Sequence, residues 1–497
     1  MFIRIHISKS FLTLLAAIAV VMSCQEKGPL YEAEKELFKA RKMRHELSST
    51  TVQGEFLTRT LDTYRGIVEE YKDQMNRQAE LDTIIVTAQI EMAQLEFQTG
   101  MLEKAYRDFR DAAELSSGIP AARANAIYSA AVIARQMNNP ESSLEHYSQF
   151  YQRFLSPKAR PFPITLNRRY ILAPIEAAHL YLEMGKGEKA REWYGIAEEL
   201  YSEIAGSGEY PGLAEESRLN LITVMLQKEE WGRARRYLGK LKEELSGEER
   251  LPALMYIEAR IELDGYDNRD RAVRILEEIA TEYPRSEEAS GALVAAAGIR
   301  FREGNYSKAR ELCTRIISNY GNRNSEVAEA TWILAEIEEK SGDWLEASLH
   351  YKALYTNHPY TLQGLEAPLR IATHFAESGE KDVASQAYER AREHYRTIIS
   401  ESNSQGARIM AEKYLVRALT EDGKWKEAVG RLLELVDEYP GYSNFRGNYL
   451  RAASISEEKL SDSARAAEIL NSCVRRYPGT PLASEARKQL NRIRRGE

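Results

Sequence analysis

Enzymes and metalloproteins place nucleophiles, general bases or metal ligands at defined spacings, and this sequence offers few such groups. Its eight histidines are scattered, and the closest pair, His350 and His358, lacks a metal-ligand spacing. Adjacent acids such as Glu338 and Glu339 are typical of solvated helix faces in a chain that is 29% charged. P-loop, GxGxxG, GxSxG and HExxH motifs do not occur. We therefore expect no enzyme, no cofactor, no metal site and no small-molecule substrate.

The first of the three cysteines, Cys24, directly follows an apolar N-terminal segment. A predominantly apolar run of twelve residues, 11–22, comes after a positive region that contains Arg4 and Lys9. Such a run is too short to cross a bilayer and has the length of a signal-peptide core. Residues 1–23 are therefore predicted to be a secretory signal.

Residues 21–24 (Val-Met-Ser-Cys) resemble the lipobox of bacterial lipoproteins, in which the cysteine is lipidated and becomes the first mature residue. The resemblance implies that Cys24 carries a diacylglyceryl thioether and an acylated amine, which together give stable anchoring. Because Gln25 replaces the aspartate that signals inner-membrane retention, it also implies the periplasmic side of a bacterial outer membrane. Residues 24–30 then form a polar tether. An ordinary cleaved leader with an incidental cysteine is the alternative.

The rest of the chain is periodic. The segment 304–309 (Gly-Asn-Tyr-Ser-Lys-Ala) is one copy of a turn whose last, small residue recurs every 37 to 47 residues. We use that residue as the anchor, position 0, of each repeat. A repeat of this length indicates stacked two-helix units. The anchors are Ala105, Ser143, Ala190, Ala234, Ala272, Ala309, Ala347, Ala384, Ala428 and Ala466.

Other positions of the repeat hold the residue types that two packed helices require. Position −5 is Gly, Asn or Asp in eight repeats, which predicts a left-handed residue between the helices. Position −12 is small in seven repeats, which lets the backbones of the pair approach closely. Positions +4 and +7 are apolar or aromatic and extend the anchor into one helical stripe. Cys313 and Cys473 lie on that stripe, four repeats apart, and are predicted to be buried thiols rather than a disulfide.

Small residues at −12 and 0, with proline at +12, resemble the tetratricopeptide repeat (TPR) over about residues 81–478. The resemblance implies an all-α TPR superhelical solenoid of about ten to eleven helical hairpins. The segment 283–289 (Tyr-Pro-Arg-Ser-Glu-Glu-Ala) is similar to TPRs of periplasmic lipoproteins in outer-membrane protein assembly and the Tol-Pal system. The prolines at +12 are Pro284, Pro359, Pro440 and Pro478.

The ends of the chain depart from the repeat. Residues 31–80 are predicted to form a degenerate N-terminal hairpin, and residues 479–497 a capping helix and tail. Seven basic residues lie between Arg475 and Arg495. They either contact lipid headgroups, acidic glycan or an acidic partner, or complement helix C-termini. The formal net charge of −7 argues against nucleic acid as the main partner.

The first helices of a TPR stack line a concave face that binds partners. An aromatic residue beside alternating charges on such a face suits an extended or helical peptide. The register equally allows Trp332 to pack between neighbouring repeats. By the register of the resemblance, exposed positions on this face include Tyr128, His179, Trp332, Glu336, Arg417 and Arg451.

Three loops are enlarged, at 156–168, 206–212 and 400–405, and either carry function or are tolerated insertions. The sequence favours a non-catalytic, lipid-anchored scaffold that binds protein or peptide partners in an envelope complex. Outer-membrane protein assembly and Tol-Pal-like coordination are the expected settings, and a platform for polysaccharide export is the alternative. A superhelical peptidoglycan-cleaving enzyme would need a further domain of about 100 residues or more, for which the repeats leave no room.

Overall fold

The computed structural model describes residues 28–49, 54–160, 162–244, 249–439 and 442–495. Within these residues the chain forms 24 α-helices and no strand, so the predicted all-α class is confirmed. None of these helices is long and apolar enough to cross a membrane. The predicted signal, Cys24 and Pro440 lie outside the described residues.

The helices form two compact units. The first unit contains the described residues up to Ser217 together with residues 442–443, and the second contains the remainder. The boundary falls inside the tenth helix. The helices up to that point are α1 Pro29–Ser49, α2 Gly54–Tyr71, α3 Ala79–Gln98, α4 Leu102–Leu115, α5 Pro120–Gln136, α6 Pro140–Phe150, α7 Arg168–Ile171, α8 Ala173–Glu183, α9 Gly187–Ser207 and α10 Pro211–Gln227.

The second unit continues the same pattern of helices. Turns of π-helix extend α6 of the first unit at Tyr151–Leu155 and α12 of the second at Ile261–Gly265. The helices of the second unit after α10 are α11 Trp231–Glu244, α12 Leu251–Arg260, α13 Arg269–Glu282, α14 Glu288–Arg302, α15 Tyr306–Asn319, α16 Asn324–Lys340, α17 Trp344–Asn357, α18 Leu362–Glu377, α19 Lys381–Glu401, α20 Gln405–Glu421, α21 Trp425–Glu438, α22 Asn448–Glu458, α23 Ser463–Arg476 and α24 Pro481–Arg495.

Within each unit, consecutive helices pack together in pairs, as in a TPR-like solenoid. The ten sequence repeats correspond to ten successive pairs of described helices, from α3–α4 to α22–α23. We call the first helix of a pair the A helix and the second, which contains the anchor, the B helix. Helices α1 and α2 precede the first pair, and α24 follows the last and packs on α23.

The turn between A and B helices has one backbone conformation throughout. Position −5 has a positive φ in all ten repeats, including the eight that the sequence singled out. The other two are Glu229 and Ser461, at 57° and 52°. Residues with a Cβ seldom adopt this conformation, so the packing of the two helices imposes it there. In five repeats an Asn or Asp at −4 then caps the B helix, as where Asp343 accepts the Glu346 N–H at 3.2 Å.

The small residues at −12 and 0 lie in the contact between the two helices of a pair. Ala297 and Ala309 are both fully buried in one core cluster. Ser143 is the one anchor that is not alanine, and its hydroxyl donates to the carbonyl oxygen of Ala131 at 2.8 Å. A side chain this short reaches the opposite backbone only because the two helices approach closely at this point.

The two cysteines of the repeats are buried and free, as predicted. Burial raises the pKa of Cys313 to about 12 and that of Cys473 to about 11. Both are therefore protonated thiols near neutral pH, and a protonated, enclosed thiol is a poor nucleophile. They act as small core residues on the B-helix stripe.

We predict opposite signs for glycine-to-alanine substitutions inside and outside this turn. Gly342 has a φ of 84° with no atom within 4 Å of an added Cβ, so Gly342→Ala should cost about 1 kcal/mol through backbone strain alone. Ser461→Gly should gain up to about 1 kcal/mol for the same reason. Urea unfolding measures both changes.

The matched control is Gly239→Ala, in the interior of α11, where an added Cβ also meets nothing within 4 Å. Its φ is not positive, so alanine should stabilise that helix by up to about 1 kcal/mol. A loss of stability in Ser461→Gly would show that the turn does not hold that residue under strain.

Candidate protein-binding surface

Trp332 and Glu336 lie one turn apart on α16, and both are half-buried. The indole ring of Trp332 lies edge-on to Tyr351 of α17, with centroids 5.1 Å apart. Burial raises the pKa of Glu336, an effect that Lys340 opposes and the charge of Glu339 reinforces. Trp332 therefore contributes to the contact within its own pair and keeps only part of its ring exposed.

The two predicted arginines differ in their availability. Arg417 of α20 donates to Glu366 of α18 at 2.7 Å and to Glu421 at 2.6 Å, so its guanidinium already holds two carboxylates. Arg451 of α22 is exposed, and no ion pair to it occurs among the described residues. Of these two cations, Arg451 is the one that a partner can reach without breaking an existing contact.

The expectation that Tyr128 is exposed is wrong, since only 5% of its surface is accessible. Its ring is enclosed by Tyr147, Phe150 and Tyr170, each with a centroid within 5.6 Å. The guanidinium carbon of Arg169 lies 4.9 Å from the ring centroid. Tyr170 and Arg169 belong to α7, the short helix that ends the enlarged loop, and this extra element covers a position that an uninterrupted repeat would leave open.

The same loop is packed rather than loosely attached. Ile164 and Leu166 are each 8% exposed, and Arg160 donates to both carboxylate oxygens of Glu203 at 2.5 and 2.6 Å. His179, the second predicted residue of the first unit, is half-buried and edge-on to Tyr194 at 6.1 Å.

Ion pairs join successive A helices of the second unit. Arg370 of α18 donates to Glu339 of α16, with its Nε 3.1 Å from the carboxylate, and the hydroxyl of Tyr351 donates to the same group at 2.8 Å. Arg417 of α20 then links back to Glu366 of α18. These contacts hold α16, α18 and α20 in a fixed relation, and a surface that is already ordered loses less entropy when a partner binds.

An open groove of about 350 Å³, which we call the central groove, crosses the A helices α12, α14 and α16 of the second unit. Its lining combines apolar side chains with both signs of charge, which suits a peptide that offers one or two apolar side chains between polar ones. The side chains that give it this character are Tyr256, Arg260, Leu263, Val294, Arg302 and Glu329.

The central groove is open because a glycine occupies position −11 of α14. None of the other nine repeats has glycine at this position, which holds, for example, His179, Glu336 or Arg417, whereas here it is Gly298. A Cβ on Gly298 would meet only the mobile end of Arg302 at 3.4 Å, so packing does not require glycine. Since glycine inside a helix costs about 1 kcal/mol relative to alanine, Gly298 leaves the groove open at the expense of helix stability.

Sequence reasoning missed this groove because it selected positions by the side chain they carry. The feature that indicated the groove was the absence of a side chain at such a position. Gly291 and Gly298 lie seven residues apart, on one face of the same helix.

Residues 448–480, which include α22 and α23, match the family model of the tetratricopeptide repeat. The last helix pair is thus similar to a tetratricopeptide repeat. The nine pairs before it share its register of small residues and its left-handed turn. No curated protein matches the chain in sequence.

Two solved structures illustrate what the chain resembles. One is a tetratricopeptide-repeat protein from Parabacteroides merdae, 13% identical, with 59% of this chain and 98% of that chain covered and a TM-score of 0.32. The other is a human IFIT1 dimer solved with m7Gppp-AAAA, 13% identical, with 74% and 80% covered and a TM-score of 0.32. At these values neither structure bears on the function of this chain.

Most buried carboxylates of the described helix pairs lie opposite an arginine. Glu412 is fully buried and accepts the Nε of Arg431 at 2.8 Å. Glu262 is 2% exposed and lies 3.1 Å from Arg235. Such pairing offsets the cost of removing a charge from water.

Glu96 of α3 is the exception, because it is fully buried opposite another acid, Asp108 of α4. Burial raises the pKa of Glu96 to about 8, and the nearby Asp108 adds to the shift. A substrate cannot reach an enclosed carboxyl of this kind. Among the described residues, no cluster of three or more His, Cys, Asp or Glu side chains could hold a metal ion.

We predict that Glu96 makes stability depend on pH. Because its pKa is raised in the folded state, the folded chain keeps a proton that the unfolded chain releases, and stability falls as the pH rises from about 4.5 to about 8. The loss from this group is at most about 1.4 kcal/mol per pH unit. Urea unfolding of wild type and Glu96→Gln at pH 5 to 8 should therefore converge or cross, with the variant gaining at high pH.

Glu80→Gln serves as the control, since Glu80 lies on the same helix and is exposed. Its difference from wild type should not change with pH in the same range. A constant difference between wild type and Glu96→Gln would mean that Glu96 is ionised in the folded protein.

Proposed function

We propose that this protein is a non-catalytic TPR scaffold that binds protein or peptide partners along the A helices of its second unit. The central groove carries this proposal, because it is a cavity of peptide dimensions lined by three successive A helices and kept open at the expense of helix stability. The neighbouring ion pairs keep the A helices ordered before a partner binds. The apolar side chains and the charges of both signs in the lining select for a peptide with a matching pattern. Trp332, Glu336 and Arg451 extend the same surface.

We place the scaffold at the periplasmic side of a bacterial outer membrane, tethered by lipid at Cys24, within an envelope complex. Outer-membrane protein assembly or Tol-Pal-like coordination is the proposed setting. The support is the N-terminal sequence, in which a short apolar run ends at a lipobox-like Cys24 followed by Gln25.

Closing the groove should abolish partner binding without loss of stability. In Gly298→Leu the new side chain fills the groove, while leucine is a better helix former than glycine by up to about 1 kcal/mol. A photo-crosslinking residue in place of Arg302, at the groove rim, should yield discrete adducts in the native cells. The same chain with Gly298→Leu added should lose them while its urea midpoint stays the same or rises.

Gly430→Leu is the matched control, because an added Cβ there also meets nothing within 4 Å and position +2 of a B helix faces away from the groove. It should leave the adducts intact. Adducts that survive Gly298→Leu, or that form equally from a crosslinker at the B-helix residue Arg274, would contradict binding at the groove.

Lipidation can be tested separately from binding. Mass spectrometry of the mature N-terminal peptide should find Cys24 as the first residue with acyl chains attached, and Cys24→Ser should shift the protein from the membrane fraction to the soluble one or leave the leader uncleaved. Cys313→Ala, which alters a buried thiol, should keep the acylated N-terminus. A mature chain that begins elsewhere and carries no acyl mass would refute the anchor and leave the groove unaffected.

A further inference from the structure

Two exposed leucines break the pattern of the B helices. Leu345 and Leu349 of α17 stand at positions −2 and +2, and 71% and 52% of their surfaces are accessible. In the other nine repeats both positions hold charged, polar or small residues, and none holds a large apolar one. A single exposed leucine needs no explanation. Two on one face of one helix, found in one repeat of ten, indicate a surface that a partner covers.

A cavity of about 460 Å³, which we call the outer pocket, is lined by Trp344 and Ser348, the residues that precede these two leucines in the chain. It lies between the B helices α17 and α19, with the A helix α18 as its floor. Trp344 and Tyr355 line it from α17, and Ile371 and Phe375 from α18. The ring of Trp344 stacks on His374 with centroids 3.4 Å apart, which fixes one wall of the pocket.

One pair of B helices in the first unit shows side chains that can fill this place. The equivalent cavity between α4 and α6 is only about 280 Å³. There Tyr106, at +1, and His146, at +3, reach across it and share a hydrogen bond of 3.0 Å. In the outer pocket the same two positions are Ser348 and Ala387. The pocket is therefore the space of a missing tyrosine–histidine pair, with room for an apolar side chain from elsewhere.

Several polar groups at the outer pocket lack a hydrogen-bond or ion-pair partner among the described residues. The Nε2 atom of His394 is buried and makes no hydrogen bond there. Lys352 and Arg390, at the rim, make no ion pair among the described residues, whereas Arg392 and Arg396 of the same helix both bind Glu389. Two unpaired cations beside an apolar cavity complement an occupant that carries carboxylates next to an apolar group.

The charges around the leucines argue against a lipid surface. Asp343 and Glu346, which flank Leu345 in the chain, are exposed at the N-terminal end of α17, and Asp382 is exposed at that of α19. An anionic bilayer is negative throughout and would be repelled there. A peptide, in contrast, can carry carboxylates opposite Lys352 and Arg390 and none opposite the acidic residues.

We infer that the outer pocket is a second docking site, on the B-helix side, for a peptide segment of a partner protein. The segment inserts one bulky apolar side chain between Trp344 and Ala387, covers Leu345 and Leu349, and directs neighbouring carboxylates to Lys352 and Arg390. The site is independent of the central groove and of the function proposed for it.

A phage-displayed random dodecapeptide library, selected on the full chain, tests the site. Peptides that bind the wild type but not Ser348→Tyr/Ala387→His, which transfers the pair of the first unit, should share a bulky apolar residue followed within a few positions by Asp or Glu. Their synthetic, fluorescently labelled forms should bind about tenfold more weakly or worse to that variant, and to Lys352→Glu/Arg390→Glu. Gly298→Leu and the surface control Lys426→Glu should leave their Kd unchanged.

Leu345→Glu/Leu349→Glu provides a second test if the variant Ser348→Tyr/Ala387→His does not fold. It alters only exposed residues, reproduces the Glu188 and Glu192 of another repeat, and should also weaken the peptides. Selection of no apolar–acidic consensus, or peptides indifferent to all three variants, overturns the inference. Two other results would also overturn it if no peptide binds. One is flotation of the wild type with vesicles of equal parts phosphatidylglycerol and phosphatidylcholine that the leucine variant loses. The other is self-association in sedimentation that the same variant loses.

Discussion

The close approach of two helix backbones at the small residues of each pair governs the rest of this structure. Where Ser143 replaces the usual alanine, its hydroxyl reaches the backbone of the opposite helix. Helices this close can be joined only by a tight turn, so even Glu229 and Ser461 accept a left-handed backbone. The helix pair is thus the fixed element of the fold, and everything outside its contact is free to vary between repeats.

Variation outside the contact creates the two cavities mainly through smaller side chains. Gly298 stands where other repeats have His, Glu or Arg, and the central groove opens over it. Ser348 and Ala387 stand where an earlier repeat has Tyr106 and His146, and the outer pocket opens between α17 and α19. Because other repeats supply a comparison, each cavity can be described by the larger side chains that stand at the same positions elsewhere in the chain.

Charge has a different role at the core than at the surface. Buried Glu412 and Glu262 have arginines opposite them, so their charges are compensated where water is excluded. Glu96 faces Asp108 instead and keeps its proton. On the A helices, the pairs Arg370–Glu339 and Arg417–Glu366 link neighbouring repeats, whereas Lys352, Arg390 and Arg451 make no such links among the described residues.

The sequence by itself determined the helix pairs, their number, eight of the ten left-handed turns and the buried thiols of Cys313 and Cys473. These follow from the spacing of small and apolar residues along one helix and from the steric demands of one turn, which are local. Only the tertiary structure decided that Tyr128 is covered by α7, that Glu96 meets an acid, and where the cavities open. Each of these depends on which residue of a neighbouring helix or inserted loop comes to lie opposite, and periodicity along the chain carries no information about that.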